Sequence, residues 1–486
     1  MNGTVTLLNT IVANSTGGNC ESVVGITNGG NNIDDGTTCG WGSADGSMSG
    51  TDPLLGALAD NGGPTQTFAL LAGSPAIDGV TFNAPNGTPS TDQRGVARPH
   101  GVRYDIGAFE LAAQPGPAFN VNSSADTDDG WCDPLGQGIG NQDCTLREAI
   151  NHANALAGAN TITFSVSGTI TLVSTLPNIT DAAGLTIDGT GHTVTISGGG
   201  LYRVLHVDAG ASLNLAHLTI ADGNSANIGG GILNEGTLST TNSTFSGNST
   251  TDSGGAIYNT DTGTLSVVDS TFSGNSATGG GGGIINHYTL TLAGSTFSGN
   301  SAMSGGAINN QPDSPLTVTN STFAGNSAVS FGGGINNFGS LMVTNSTFSG
   351  NAAPIGGGGV YNDSGGTVTL LNTIVANSPS GGNCNGAITN SGNNIDDGTT
   401  CGWGSTDGSM SSTDPLLGAL ADHGGPTQTF ALLTDSPAID GVTFNAPNSA
   451  PSTDQRGVTR PQGVLYDIGA YEYEFQYSLY LPLIMR

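Results

Sequence analysis

Three aspartates in the stretch Asp126-Thr127-Asp128-Asp129-Gly130 have the type and spacing of ligands for a hard cation. Ca²⁺ prefers oxygen ligands, and carboxylates that alternate along a loop can supply several of them. Asp126, Asp128 and Asp129 are therefore candidate ligands for calcium. The stretch lacks the glutamate that stands at the twelfth position of an EF-hand loop, so we favour an aspartate-rich turn over a calcium site.

Six cysteines fall into three local pairs along the chain. The pairs are Cys20 with Cys39, Cys132 with Cys144, and Cys384 with Cys401. No C-x-x-C spacing occurs, and the pairs lie far apart in the sequence. This pattern predicts three disulfide bonds and an oxidising compartment rather than a metal site.

Groups that could catalyse a reaction are sparse in the repeated part of the chain. The sequence has no lysine, and Arg203 is the one arginine between residues 160 and 378. Inverting glycoside hydrolysis needs two carboxylates about 6.5–9.5 Å apart, but the acidic residues of this region fall in different phases of the repeat. The histidines there also lack an obvious carboxylate partner in the sequence: His192, His206, His217 and His287. We therefore predict a protein that is not an enzyme.

A repeat of 24 to 27 residues organises the region 213–377. One unit reads Ser-Thr-Phe-Ser-Gly-Asn, and a second unit, Gly-Gly-Ala/Gly-Ile/Val-x-Asn, alternates with it. Short runs such as Thr289-Leu290-Thr291-Leu292 alternate polar and apolar residues with the period of a β-strand. A repeat of this length with strand patterning predicts an all-β solenoid, namely a right-handed parallel β-helix with about 24–27 residues in each coil.

The repeated residues are expected to form ladders from coil to coil. Phe side chains should stack inside the helix, and Asn side chains should bond amide to amide at its corners, because neighbouring coils lie about 4.8 Å apart. The predicted Phe ladder comprises Phe245, Phe272, Phe297, Phe323 and Phe348. The predicted Asn ladder comprises Asn248, Asn275, Asn300, Asn326 and Asn351. We interpret the asparagines as structural and not as ligands.

The alternation of Gly-Gly-Ala-Ile (254–257 and 305–308) with Phe-x-x-Asn (245–248, 272–275 and 297–300) resembles the repeats of polymorphic outer-membrane proteins and related bacterial surface β-helices. The resemblance covers roughly residues 213–378. It implies a parallel β-helix in a secreted or surface protein.

Residues 3–112 recur near the other end of the chain as residues 366–472. Both copies contain Asp-Gln-Arg-Gly-Val (92–96 and 454–458) and Tyr-Asp-Ile-Gly-Ala (104–108 and 466–470). The segments ending in Asp-Ile-Gly-Ala-Phe/Tyr-Glu resemble the tail of choice-of-anchor Q domains, which implies a bacterial surface protein. We expect each copy to cap the last coil of a β-helix, whose open strand edge must be covered. The chain therefore reads as one full unit preceded by the tail of another.

The motif Cys144-Thr-Leu-Arg-Glu-Ala-Ile150 resembles the CSLREA domain, with Thr in place of Ser. That resemblance implies a segment that precedes a β-helix. Leu146 to Ala155 should form a short amphipathic capping helix, with Leu146, Ala149 and Ile150 facing inward.

Five regions follow from these observations. Residues 1–112 are a first terminal block, 113–158 a linker with the CSLREA-like cap, 159–378 the β-helix, 379–474 a second terminal block, and 475–486 an apolar tail.

The composition narrows the range of partners. A net charge of −29 with eight cationic residues argues against nucleic acid and anionic membranes as partners. No run of the sequence is long and apolar enough for a transmembrane helix. We expect an extracellular or cell-surface protein that acts as a structural element or adhesin, with other copies of itself, a surface glycan or a surface protein as partner.

A sharper hypothesis is head-to-tail filament formation by strand addition through residues 3–14. A carbohydrate-binding or carbohydrate-cleaving β-helix is the alternative function.

Overall fold

A computed structural model describes residues 5–21, 26–71, 74–77, 79–81, 89–99, 103–111, 118–130, 132, 143–156, 158–444 and 450–475. The chain divides into two compact units. The first comprises Met1–Leu156 with Asn160–Val166, and the second comprises Ala157–Ala159 with Ser167–Arg486. Among the described residues, no helix has both the length and the apolar character needed to span a bilayer.

The described residues of the first unit form short strands and one α-helix. Its elements are β1 (Val5–Leu7), β2 (Ile11–Val12), β3 (Ile26–Asn28), β4 (Ile33–Asp34), a 3₁₀ turn (Ala44–Gly46), β5 (Met48–Ser49), β6 (Leu55–Ala59), β7 (Thr67–Leu70), β8 (Ala118–Val121), α1 (Leu146–Ala155) and β9 (Asn160–Phe164). Strand β1 pairs with β3, β2 with β4, β4 with β5, and β8 with β9, all in parallel. Strands β6 and β7 form an antiparallel hairpin.

Helix α1 begins where the sequence predicts. Thr145 caps it, because its side chain accepts a hydrogen bond from the backbone N–H of Glu148 while the Glu148 carboxylate accepts one from the backbone N–H of Thr145. The apolar residues Leu146, Ala149 and Ile150 are fully buried. The predicted short helix and its inward face are therefore confirmed, and its capping role stays a prediction.

The second unit is built from short strands that recur once per coil. They are β10 (Gly168–Thr171), β11 (Leu185–Asp188), β12 (Val194–Ser197), β13 (Leu205–Val207), β14 (Ser212–Ala216), β15 (Leu218–Ala221), β16 (Asn224–Ser225), β17 (Ile232–Asn234), β18 (Thr237–Thr241), β19 (Thr244–Ser246), β20 (Ser249–Thr250), β21 (Ile257–Asn259), β22 (Thr264–Val268), β23 (Thr271–Ser273), β24 (Ser276–Ala277), β25 (Ile284–Asn286), β26 (Thr289–Ala293), β27 (Thr296–Ser298), β28 (Ser301–Ala302), β29 (Ile308–Asn310), β30 (Pro315–Thr319), β31 (Thr322–Ala324), β32 (Ser327–Ala328), β33 (Ile335–Asn337), β34 (Ser340–Thr344), β35 (Thr347–Ser349), β36 (Val360–Asn362), β37 (Thr367–Leu371), β38 (Ile374–Ala376), β39 (Cys384–Asn385), β40 (Thr389–Asn390), β41 (Ile395–Asp396), β42 (Met410–Ser411), β43 (Leu417–Ala421) and β44 (Thr429–Leu432).

Parallel sheets run along the coils of this unit. The first sheet has the order β10-β12-β15-β19-β23-β27-β31-β35-β38-β41-β42 and contains the Thr-Phe strands. A second sheet proceeds from β11 through β14, β18, β22, β26, β30, β34 and β37 to β40. A third has the order β13-β17-β21-β25-β29-β33-β36-β39, and a fourth, shorter sheet runs from β16 to β32. The predicted parallel β-helix is confirmed.

Strand register aligns identical residues of successive coils. Phe245 pairs with Phe272, Phe272 with Phe297, and so on to Phe348. The five rings are fully buried and stack with centroids 4.4–5.2 Å apart. Offset aromatic stacks add to the apolar burial that holds a core together.

The asparagines form a continuous ladder beside the phenylalanines. In each step the amide nitrogen of one Asn donates to the amide oxygen of the next at 2.9 Å, from Asn248 to Asn351. The same side-chain oxygens also accept from backbone N–H groups, as when Asn275 donates to Asn300 at 3.1 Å. A second ladder joins Asn234 to Asn362 through the Gly-Gly units, with steps of 2.7–2.9 Å.

Glycine is required where coils approach most closely. A Cβ at Gly255 would overlap the carbonyl oxygen of Gly282 in the next coil, and one at Gly230 would overlap the carbonyl of Ser249. Any larger residue would push neighbouring coils apart, which explains the Gly-Gly unit of the repeat.

Candidate functional site: an open groove in the first block

The two copies of the repeated terminal sequence fold alike but have different surroundings. We call residues 5–111 the first block and residues 366–475 the second block. Each contains an antiparallel hairpin, β6–β7 in the first and β43–β44 in the second, with the same register irregularity. The disulfides Cys20–Cys39 and Cys384–Cys401 are formed, as is Cys132–Cys144. The three predicted disulfide pairs are therefore confirmed.

The second block lies against the side of the coils that precede it. Thr427 donates to the carbonyl oxygen of Gly294 at 2.7 Å, and the side-chain amide of Asn320 donates to the carbonyl of Thr453 at 2.8 Å. The backbone N–H of Ala470 donates to the hydroxyl of Thr347 at 3.0 Å. We call the residues that receive this block, Gly294, Thr296, Asn320, Thr322 and Thr347, the coil face.

Gln455 is the central contact between the second block and the coil face. Its amide nitrogen donates to the hydroxyl of Thr296 at 2.9 Å, and its amide oxygen accepts from the hydroxyl of Thr322 at 2.7 Å. The same nitrogen lies 2.8 Å from the hydroxyl of Thr427 within its own block. Gln455 is 2% exposed, so these polar groups satisfy one another away from water.

The equivalent surface of the first block is open. A groove of about 710 Å³ is lined by residues of β2, β6 and β7 together with Gln93 and Ala108. Thr65, Gln93 and Ala108 are exposed, whereas their counterparts Thr427, Gln455 and Ala470 are buried. The groove of the first block therefore corresponds to the surface that the coil face fills in the second block.

The first block also has an open strand edge. In the second block, β37 lies between β34 and β40, and β38 lies between β35 and β41. In the first block, the equivalent strand β1 pairs with β3 alone and β2 with β4 alone, as far as the described residues show. Val5 is accordingly 54% exposed, while its counterpart Val368 is 1% exposed.

Buried charges hold the loops around the groove in place. Arg94 pairs with Asp92 at 2.8 Å, and in the second block Arg456 pairs with Asp454 at 2.7 Å. Each arginine also covers an aromatic ring of its block, with Arg94 3.5 Å from the ring centroid of Phe109. Deeper in the second block, Arg460 pairs with Glu472 at 3.1 Å. Burial together with the charge of Glu472 raises the pKa of Asp467 to about 7.

The predicted calcium ligands do not converge on one point. Arg147 donates to both carboxylate oxygens of Asp126, at 2.9 and 2.8 Å. The Asp128 carboxylate accepts from the backbone N–H of Gly130 and from the side chain of Asn151. Asp129 instead lies in a group with Asp143 and Glu148, whose oxygens all lie within 4.8 Å of one another. Calcium binding stays a prediction, and this second group fits a cation better than the three predicted aspartates.

Burial changes the titration of that group. Burial of its carboxyl raises the pKa of Glu148 to about 7, and the nearby charge of Asp129 acts in the same direction. The backbone N–H groups of Thr145 and Asp129 donate to the Glu148 carboxylate and lower its pKa, but by less than burial raises it.

A second group of metal-type ligands lies at the third sheet. The Nε2 atom of His206 is 3.0 Å from the Glu235 carboxylate and 3.6 Å from that of Asp208. The pairing of β13 with β17 places Asp208 and Glu235 at equivalent positions in neighbouring coils. Sequence analysis found no obvious carboxylate partner for His206, because Glu235 lies one coil away. Mixed nitrogen and oxygen ligands of this kind suit Zn²⁺.

Aromatic side chains on the outer side of the third sheet bear on the carbohydrate alternative. Tyr258 stacks on His287 with ring centroids 5.0 Å apart, and Phe331 lies 4.4 Å from Tyr361. Trp41 and Trp403 are buried within the two blocks, and Trp131 lies outside the described residues.

Comparison with known proteins finds one family. The model of the Chlamydia polymorphic membrane protein repeat matches residues 242–260 and 269–286. These are two stretches in which the Phe-x-x-Asn and Gly-Gly units alternate. The chain therefore carries repeats similar to those of the Chlamydia polymorphic membrane proteins. No curated protein matches the chain.

Among solved structures, the crystal structure of pectate lyase Pel9A is similar to the chain. The identity is 14%, the match covers 73% of this chain and 96% of the lyase chain, and the TM-score is 0.37.

Sequence reasoning missed the residues that form the groove and its counterpart. The threonine of Ser-Thr-Phe points outward in every coil, but the sequence does not reveal that Thr296, Thr322 and Thr347 are covered while Thr244 and Thr271 remain partly exposed. The Gln of Asp-Gln-Arg-Gly is present in both copies and was a usable signal, since a polar residue repeated between charged neighbours can mark a contact.

Proposed function

We propose that this chain is a structural or adhesive β-helix protein of the bacterial cell surface, that it acts without catalysing a reaction, and that copies join head to tail through the first block. The observation that carries the proposal is the open edge of β1 and β2. The equivalent strands of the second block continue directly from the coils. An open parallel edge takes up a further strand readily, because its N–H and C=O groups are not paired.

Several features of the molecule support a structural role. Most of the strands of the second unit belong to parallel sheets, and buried Phe and Asn ladders link successive coils. The repeats are similar to those of a membrane-protein family of bacteria. A joint between the first block of one copy and the coils of another is heterologous, so repetition would extend it into a filament.

Deleting residues 1–15 from the full chain is expected to abolish assembly, because it removes β1 and β2 with their open edge. Sedimentation velocity and negative-stain electron microscopy would measure the polymer fraction before and after the deletion. A chain lacking residues 476–486 is the control for loss of a terminal segment. Polymers that persist after removal of residues 1–15 would refute strand addition through this edge.

Carbohydrate binding is the second candidate function, and the stacked pair Tyr258 and His287 supports it. Exposed aromatic rings are the usual platforms for sugar rings, and Tyr288 next to this pair is 48% exposed. Glycan-array screening of the purified chain, with Tyr258→Ala as comparison, tests this candidate.

A further inference from the structure

We infer that the two blocks compete for the coil face. The first block of one copy can bind the coil face of another copy only when the other copy's own second block leaves it. The inference rests on the proposed head-to-tail assembly and names both the partner surface and its control. The partner is the coil face of a second copy, and the second block limits assembly by competing for that face.

The two blocks present the same chemical groups at equivalent positions. The contacts of the second block with the coil face come from Thr427, Gln455 and Ala470 and from the carbonyl groups of Gln428 and Thr453. The first block carries the same residue types at the equivalent positions: Thr65, Gln93, Ala108, Gln66 and Thr91. Every hydrogen bond made at the coil face therefore has a donor or acceptor ready in the first block.

The open groove of the first block is already organised like the filled surface of the second block. The side chain of Gln93 donates to the hydroxyl of Thr65 at 2.8 Å, the same distance that separates Gln455 from Thr427. The backbone N–H of Gln93 donates to Ala108 at 3.0 Å, and that of Gln455 donates to Ala470 at 3.0 Å. A surface organised before binding loses little conformational freedom on docking, which favours association.

The first block leaves apolar surface exposed. In the first block, Leu58 and Phe68 of the hairpin are 51% and 50% exposed. Their counterparts Leu420 and Phe430 in the second block are partly buried. The groove of the first block thus leaves apolar area exposed to water, whereas the equivalent area of the second block is partly covered. Docking on a coil face would remove this area from water.

The two blocks cannot occupy one coil face at the same time. The second block pairs β37 with β34 and β38 with β35, and it covers Thr296, Thr322 and Thr347. A first block in the same position would use the same strand edges and the same hydroxyls. The second block is attached to its own coils, which gives it a high effective concentration. In the intact chain the second block is therefore the favoured occupant of the coil face. A first block from another copy binds there only when the contacts of the second block are weakened.

Matched substitutions in the full chain test the competition. Gln455→Ala removes two hydrogen bonds to the coil face and should raise the polymer mass about tenfold or more, since each lost contact favours release of the second block. Gln93→Ala changes the same residue type in the first block and should lower the polymer mass by a similar factor. Sedimentation velocity at several protein concentrations gives both numbers.

Thr427→Val and Thr65→Val form a second matched pair, which keeps the test valid if Gln455→Ala disturbs the fold. Opposite effects of the two members of each pair support the inference, and equal effects overturn it. Polymers that disappear on deletion of residues 1–15 but respond equally to both pairs would refute the competition and leave strand addition standing. Absence of polymers in every variant, Gln455→Ala included, would refute both.

Discussion

Replacing Phe297 by alanine is expected to lower the free energy of unfolding by about 3–5 kcal/mol. Phe297 is fully buried in the middle of the ladder, with ring centroids 4.5 Å from Phe272 and 5.2 Å from Phe323. Removing the ring leaves a cavity that the coils cannot close, because their hydrogen bonds fix the distance between strands. It also removes two ring-to-ring contacts.

Two control variants separate these contributions. Phe297→Leu refills much of the cavity without restoring the stack, so its loss should be smaller than that of the alanine variant. Met342→Ala in β34 removes a side chain that is 49% exposed and should change stability little. Urea denaturation followed by circular dichroism measures all three. A Phe297→Ala chain as stable as the parent would mean that the Phe ladder does not carry the core.

The repeat alone predicted the fold because it fixes strand register. Identical residues 24 to 27 positions apart fall on top of one another only if each coil has that length. Phe245 to Phe348 and Asn248 to Asn351 therefore indicated a parallel β-helix, and the register of the strands places them as expected. The local sequence also identified the three disulfides and the short helix α1, since both depend on residues close in sequence.

The candidate site depends on contacts that sequence spacing does not encode. Gln455 meets Thr296 across 159 residues, and nothing in the repeat distinguishes Thr296 from Thr271. The sequence also suggested a block that covers the last coil. The structure does cover that coil, because β39, β40 and β41 pair with β36, β37 and β38, but it also lays the hairpin region along the side of earlier coils. The difference arises because a chain that follows the last strand is free to fold back over polar side chains.

The carboxylates illustrate the same limit. Asp126, Asp128 and Asp129 are adjacent in sequence, but Arg147 of α1 engages Asp126, and Asp129 approaches Asp143 and Glu148. His206 and Glu235 are 29 residues apart and meet because they lie in neighbouring coils. Proximity in sequence therefore grouped three aspartates that do not converge, and it missed a pair of residues that lie one coil apart.

Asn300→Asp is expected to lower the free energy of unfolding by about 4 kcal/mol or more at pH 7, because it places a charge in a ladder that needs a donor. The Asn300 amide nitrogen donates to the carbonyl of Phe272 and to the amide oxygen of Asn326, both at 2.9 Å. An aspartate keeps the two bonds that Asn300 accepts from Asn275. It turns an anionic oxygen, however, toward the carbonyl of Phe272 and the amide oxygen of Asn326. Asn300 is fully buried, so water cannot compensate for the lost bonds.

The loss of stability in the Asn300→Asp variant should depend on pH, and the direction of this dependence identifies its cause. Burial of the new carboxyl without a cation raises its folded pKa above the unfolded value of about 3.9. The variant is therefore least destabilised below that pH, where the carboxyl carries a proton and can donate one bond. Its deficit relative to the parent grows as the pH rises toward the folded pKa.

Urea unfolding of both chains at pH 4 and pH 7 measures this difference, with Asn214→Asp at an exposed position of β14 as the control for added charge. A deficit that is equal at the two pH values would mean that lost packing, and not the buried charge, destabilises the ladder. A deficit that grows with pH would instead show that the Asn ladder excludes its own deamidation product, since the same atoms that bond each amide to the next coil repel a carboxylate. The ladder then selects for asparagine over aspartate by the need for a donor and an acceptor on one side chain, because an ionised carboxylate can only accept.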